Sequence, residues 1–106
     1  MKRKEQPCVP AISVEVMERM AQALKVLAHP CRLRIIEILE AAEAVPVHVI
    51  VGKLGLPQSA TSQHLNHMRR AGLLTSERRG KEVWYRIGDK RSLTILNCIR
   101  TKGVGK

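Results

Sequence analysis

A mainly helical domain carrying one small β-hairpin, in the order α-α-α-α-β-β-α, is the fold class that this sequence predicts. Three observations lead there. The chain has 106 residues, room for one domain. A chain of that size buries roughly two-thirds of its unfolded surface, enough for a core without staples. Hydrophobic residues make up 44%, which excludes disorder as the main state, but aromatics only 2% (Trp84 and Tyr85, no Phe), so the core is aliphatic. Apolar residues recur at helical spacing as far as Ala71, and alternation takes over after Gly72.

The elements follow in order. Pro7 and Pro10 discourage helix, so residues 1–12 read as a flexible N-terminal arm. Ser13 caps a first helix with Met17, Met20, Leu24 and Leu27 as its apolar stripe. His29-Pro30 ends it and opens the next, with His29 as the cap and proline suited to the first turn of a helix. That second helix, Pro30 to about Glu43, is expected to bury Ile35, Ile38, Leu39 and Ala42. Val45-Pro46 breaks the chain, and a short third helix runs from Val47 to Leu54. Gly55-Leu56-Pro57 stops it before a fourth helix, Gln58 to Ala71, which Gly72 closes as a left-handed cap. Leu73–Arg79 and Glu82–Ile87 alternate around Gly80, which predicts a hairpin with Arg78, Arg79 and Lys81 at its tip. Asp89 caps a last helix, about Lys90 to Thr101, carrying Leu93, Leu96 and Ile99 with Ile95 and Cys98 beside them. Two helices joined by a tight turn and followed by a hairpin describe a winged helix-turn-helix.

Charge locates the function. The net charge is +10, yet residues 6–68 hold equal numbers of acids and bases. From Arg69 to Lys102 there are ten basic and three acidic side chains. A basic block beside a neutral half is the footprint of a nucleic-acid binder; a solvated surface or attraction to an anionic membrane are the alternatives. The fourth helix narrows the choice. Leu65 and Met68 point one way, while Ser59, Ser62, Gln63, Asn66 and Arg70 share the other face. Solubility alone favours Glu and Lys; Ser, Gln and Asn suit hydrogen bonds to base edges and phosphates of double-stranded DNA.

LKVLAHPCRLRIIEIL (24–39), KLGLPQSATSQHLNHMRRAGLLTSERRGKEVWYRI (53–87) and the closing helix resemble the ArsR/SmtB family of bacterial winged-helix repressors. The resemblance covers nearly the whole chain after the arm. It implies a DNA-binding and dimerisation domain over residues 13–102, a homodimer joined by its first and last helices, and repression of an operator until an effector releases it. The family's DNA-reading positions map onto Gln58, Ser59, Ser62 and Gln63, with Thr61 and His64 adjacent. For each serine the other reading is a helix cap, and for His64 a packed imidazole. Arg69 and Arg70 either hold phosphates or favour the helix C-terminus. Arg78, Arg79 and Lys81 suit the backbone or minor groove, against the alternative of a solvated turn.

Metal-sensing members carry ligand sets that are missing here. The third-helix Cys-x-Cys positions fall on Pro46 and His48, and the following acid on Val49. On the last helix Asp89 starts the second set, but Arg91 stands where a ligand is needed and no histidine follows residue 67. His64 and His67 lack a third ligand nearby in sequence. No metal site is therefore expected from these sets.

Effector sensing then falls to Cys31 and Cys98, with Cys8 in the arm optional. Cys31 stands in the first turn of a helix beside Arg32 and Arg34, where unpaired N–H groups and positive charge favour a thiolate. Cys98 is placed near the dimer seam, with a small buried hydrophobe as its other reading. An oxidant or reactive sulfur species linking two thiols fits this set, as does As(III) or another thiophilic metal(loid) recruiting all three. No other cofactor is expected.

Three cysteines without CxxC exclude a disulfide framework and point to a reducing, cytoplasmic setting. The charged start, Met1 to Pro7, has no apolar stretch behind it, so no signal peptide is expected, and no run of 18 apolar residues predicts a membrane partner. GxSxG, HExxH and P-loop motifs are absent, so no enzyme is expected. The remaining alternatives are a repressor with a non-thiol effector site and a protein-interaction module that ignores DNA.

Overall fold

The computed structural model describes residues 11–103, so Cys8 and the arm up to Pro10 lie outside the described residues. The elements are α1 (Val14–Leu27), α2 (Pro30–Glu40), β1 (Val45–Pro46), α3 (Val47–Leu54), α4 (Gln58–Arg70), β2 (Leu74–Arg79), β3 (Glu82–Ile87) and α5 (Arg91–Gly103). The caps form where the sequence placed them. Ser13 Oγ accepts the Val16 N–H at 3.2 Å, and His29 Nδ1 accepts the Cys31 N–H at 3.2 Å with Pro30 at the first helical position.

α2 is the hub, packing against α1, α3, α4, α5 and β3. A helix surrounded on several sides buries more than one stripe. Ile35, Ile36 and Leu39 are all buried, so Ile36 joins the core and Ile38 is half-buried. α2 ends at Glu40, three residues earlier than expected, which leaves Ala42 in an exposed turn rather than in the core. Ile50 of α3, Leu65 and Met68 of α4, and Leu73 and Leu74 complete the aliphatic centre. Burying each such side chain contributes on the order of 1.5–3 kcal/mol.

The hairpin pairs in the expected frame, from Leu74↔Ile87 to Arg79↔Glu82. Its Gly80-Lys81 link has positive φ only at Gly80 (65°), which fits a type II′ turn. One strand was not expected. Val45 and Pro46 break the helical run but also pair antiparallel with Tyr85 and Trp84, so the sheet order is β1-β3-β2. Proline is tolerated there because β1 is an edge strand.

Two glycines set the angle of α4. Gly55 takes a left-handed conformation (φ 75°) and its N–H reaches Val51 O at 3.0 Å, closing α3. Gly72 (φ 84°) closes α4 in a Schellman motif, with Gly72 N–H on Arg69 O (2.9 Å) and Leu73 N–H on Met68 O (3.0 Å).

α1 is different. Ala23, Val26 and Leu27 face the core, but Val14, Met17 and Leu24 stand 64%, 54% and 49% exposed. Half of the expected apolar stripe is thus unburied in a single chain.

Candidate nucleic-acid interface

α4 has the two faces its spacing implied, with two residues reassigned. Leu65 and Met68 point inward, and Thr61 joins them at i, i+4, i+7, fully buried with no partner for its Oγ1 among the described residues. Thr61 is a core residue and not a DNA-facing one. Ser59, Gln63, Asn66 and Arg70 are exposed on the opposite side, with Ser62 half-buried beside them. Asn66 Oδ1 accepts from Arg69 Nη2 at 2.8 Å, which orients both at the C-terminal end of the helix.

His64 leaves that face as well. It is half-buried on the flank of α4, its Nδ1 accepting from Arg32 Nε at 3.1 Å and its ring meeting His29 edge-on at 4.5 Å. Burial, and then the neighbouring His29, Arg32 and His67, hold its pKa below the usual histidine value. The packed-imidazole alternative is the one the geometry selects. Arg32 was visible in the sequence only as charge near Cys31. It also donates from Nη1 to Val26 O at 3.1 Å, so it fastens α1, α2 and α4 together.

Gln58 and Ser62 line a cleft of about 350 Å³ whose other wall is Lys81, Glu82 and Tyr85, so the start of α4 and the wing share one surface. Arg78, Arg79 and Lys81 are all exposed. The Arg79 guanidinium lies 4.4 Å from the Trp84 ring centre and 3.4 Å from Glu77 Oε1, which pre-positions it. Among the described residues Arg78 and Lys81 carry no ion pair. The tryptophan platform and the His48–Glu82 link from α3 to the wing (Nδ1 to Oε2, 3.1 Å) join residues that the sequence does not connect.

Residues 27–77 match the family described as a helix-turn-helix domain. Over 82 residues the chain is 39% identical to the HTH-type transcriptional repressor SmtB of Mycobacterium tuberculosis, an alignment spanning 77% of this chain and 60% of SmtB. With the transcriptional repressor PagR of Bacillus anthracis it shares 41% identity over 83 residues, 78% of this chain and 83% of PagR. The chain belongs to the ArsR/SmtB family. Family members are transcriptional regulators and not enzymes. The crystal structure of PagR has a TM-score of 0.74 to this ArsR/SmtB chain at 37% identity, covering 82% of this chain and 99% of PagR. A homodimeric winged helix-turn-helix DNA-binding domain from Mycobacterium bovis, 22% identical, shares the fold with a TM-score of 0.74 over 85% of this chain and 82% of its own.

In this ArsR/SmtB chain the residues considered for sensing lie on separate elements. Pro46 is in β1, His48 pairs with the wing, and Asp89 caps α5 by accepting from the Arg91 N–H at 2.9 Å and from Arg91 Nε at 3.2 Å. Cys31 is half-buried in the first turn of α2, turned toward His29 and His64. Cys98 is exposed on α5. Pro30, Leu33, Arg34 and Glu37 of α2 line one groove with Leu96, Ile99 and Arg100 of α5. At about 100° of turn per residue, Cys31 and Cys98 both lie off those facing stripes. Cys31 is turned toward α4, while Cys98 stands exposed on α5. What does tie α5 to α2 is Arg100, bonded to both carboxylate oxygens of Glu40 at 2.6 and 3.1 Å, which holds the Glu40 carboxyl below its ordinary pKa. Among the described residues no helix is long and apolar enough to cross a membrane.

Proposed function

We propose that this chain is the subunit of a homodimeric transcriptional repressor that reads a two-fold operator with α4, clamps it with the wing, and lets go when an effector reaches a cysteine thiol. The observation that carries the reading is the face of α4. Five hydrogen-bonding side chains, Ser59, Ser62, Gln63, Asn66 and Arg70, stand opposite the buried Thr61, Leu65 and Met68, with exposed basic wing residues alongside. The relatives agree with it: SmtB and PagR are repressors, and the M. bovis domain is a homodimer. The second copy is expected on the exposed apolar side of α1, with Ile99 of α5 (44% exposed) contributing. Cys31 is the thiol best supported as the sensor, because the recognition helix contacts its surroundings. A link to Cys98, or an As(III) site that also recruits Cys8, requires a second chain or the arm.

The deciding experiment measures binding to operator and scrambled duplexes as salt is raised. A repressor of this kind binds the operator far more tightly and loses affinity steeply with salt. Arg79→Ala is expected to weaken both duplexes alike and to reduce the salt slope by about 1. Binding indifferent to both salt and sequence overturns the reading in favour of a protein-interaction module.

A further inference from the structure

Two segments far apart in the chain, residues 29–31 and the middle of α4, meet where α1, α2 and α4 converge. His29 lies in the α1–α2 link, Cys31 in the first turn of α2 and His64 midway along α4, all half-buried. One donor atom from each lies within 4.8 Å of the other two. Two imidazole nitrogens and a thiolate form a donor set suited to borderline-soft divalent ions. None of the three coincides with the third-helix or last-helix ligand positions of the family, where Pro46, Val49 and Arg91 stand.

We propose that His29, Cys31 and His64 form a binding site for a divalent transition-metal ion of the Zn²⁺ or Co²⁺ type, and that its occupancy unfastens the recognition helix. Three protein ligands leave a fourth, water-filled position, the arrangement of an exchangeable site rather than of a closed structural one. On binding, the Cys31 S–H bond breaks, sulfur forms a bond to the metal and one proton leaves to solvent, with no change in oxidation state.

The coupling follows from counting lone pairs. A neutral imidazole has one lone pair on nitrogen to offer. His64 Nδ1 directs its lone pair at the Arg32 Nε–H, and His29 Nδ1 directs its own at the Cys31 N–H. If the metal takes Nδ1 of His64, it displaces Arg32. If it takes Nε2, the proton must move to Nδ1, where it faces the Arg32 donor. Either way the metal and the Arg32–His64 hydrogen bond exclude each other. Arg32 fastens α2 to α4 through His64, with a longer approach of its Nη2 to His67 Nδ1 at 3.4 Å, and Arg32, Gln63 and Asn66 share one cleft. Occupancy therefore shifts the helix that carries Gln63, and operator affinity falls. The regulatory half rests on the repressor reading; the site itself does not.

The test uses the full chain without DNA first. Titration with Co²⁺ is expected to give one ion per chain, with thiolate-to-cobalt charge-transfer absorption, tetrahedral ligand-field bands and competition by Zn²⁺. Cys31→Ser should abolish the charge-transfer band. His29→Asn, which keeps a good helix cap, and His64→Gln should each weaken binding by at least about 100-fold, with helical content unchanged. Arg32→Gln is the sharper variant: release of competition makes it bind Co²⁺ more tightly than the parent, an effect that mere destabilisation cannot produce. Absence of charge transfer in the parent, or stoichiometric binding retained in the histidine variants, overturns the site. Operator affinity is then compared with and without Zn²⁺. Loss of affinity in the parent but not in Cys31→Ser supports the coupling, and unchanged affinity overturns it. Sequence-indifferent DNA binding by the metal-free chain would instead sink the repressor reading and leave the site standing.

Discussion

α1 and α4 are both amphipathic helices with one face in the core, and they differ in what they leave outside. α1 presents Val14, Met17 and Leu24 to water, whereas α4 presents Ser59, Gln63, Asn66 and Arg70. An exposed apolar stripe gains free energy by meeting another apolar surface, without regard to direction. An exposed row of amides, hydroxyls and a guanidinium gains little from burial and much from a partner whose donors and acceptors are fixed in space. Under the proposed function, the first helix meets a second protein chain and the other a nucleic acid.

The largest expected effect comes from inverting α1. Met17→Lys with Leu24→Glu places charges on the exposed stripe and should convert the proposed dimer to monomers in sedimentation. Because two linked reading heads gain roughly 10²–10⁴ in avidity, operator affinity should fall by a comparable factor while the monomer stays folded. A folded double variant that remains dimeric would show that α1 is not the seam. Gln63→Ala comes next: if Gln63 reads a base, the variant loses about 1–3 kcal/mol of discrimination, seen as convergence of its affinities for operator and scrambled DNA. Unchanged discrimination would remove Gln63 from the reading face.

Thr61→Val sharpens the division within α4 itself. The buried hydroxyl has no partner, so replacing it with a methyl group should leave DNA affinity unchanged and raise stability, by about 1 kcal/mol in denaturant melts. A loss of operator binding would return Thr61 to the interface. The smallest effect is the pH dependence of the α2–α5 tie. Arg100 holds the Glu40 pKa below its ordinary 4.5, so the pair stabilises the fold at neutral pH and that contribution disappears as pH falls through the lowered value. Both groups are near the surface and screened, so the difference in melting temperature between the parent and Glu40→Gln should be small at pH 7 and should fade as pH falls through the lowered Glu40 value.

Much of this chain is legible without coordinates because its signals are short-range. The Ser13 and His29 caps, the Gly55-Leu56-Pro57 turn, the Gly72 stop and the alternation around Gly80 each act over a few residues, and each formed as expected. The polar face of α4 is likewise a matter of spacing along one helix. The charge imbalance beyond Arg69 marks the wing half as the basic one.

The remainder depended on which surfaces pack together, and local periodicity is blind to that. Val45-Pro46 is too short to show a period, so only its pairing with Tyr85 and Trp84 reveals a strand. Ile36 is buried and Ala42 exposed because α2 is wrapped by its neighbours and stops early. Thr61 and His64 sit beside the reading face in sequence, yet one is drawn into the core and the other onto Arg32 and His29. Chain chemistry alone supplied the polar face of α4 and a basic wing. The meeting of His29, Cys31 and His64 was decided by the packing of α4 on α2, since no interaction within a helix spans the interval from residue 31 to residue 64.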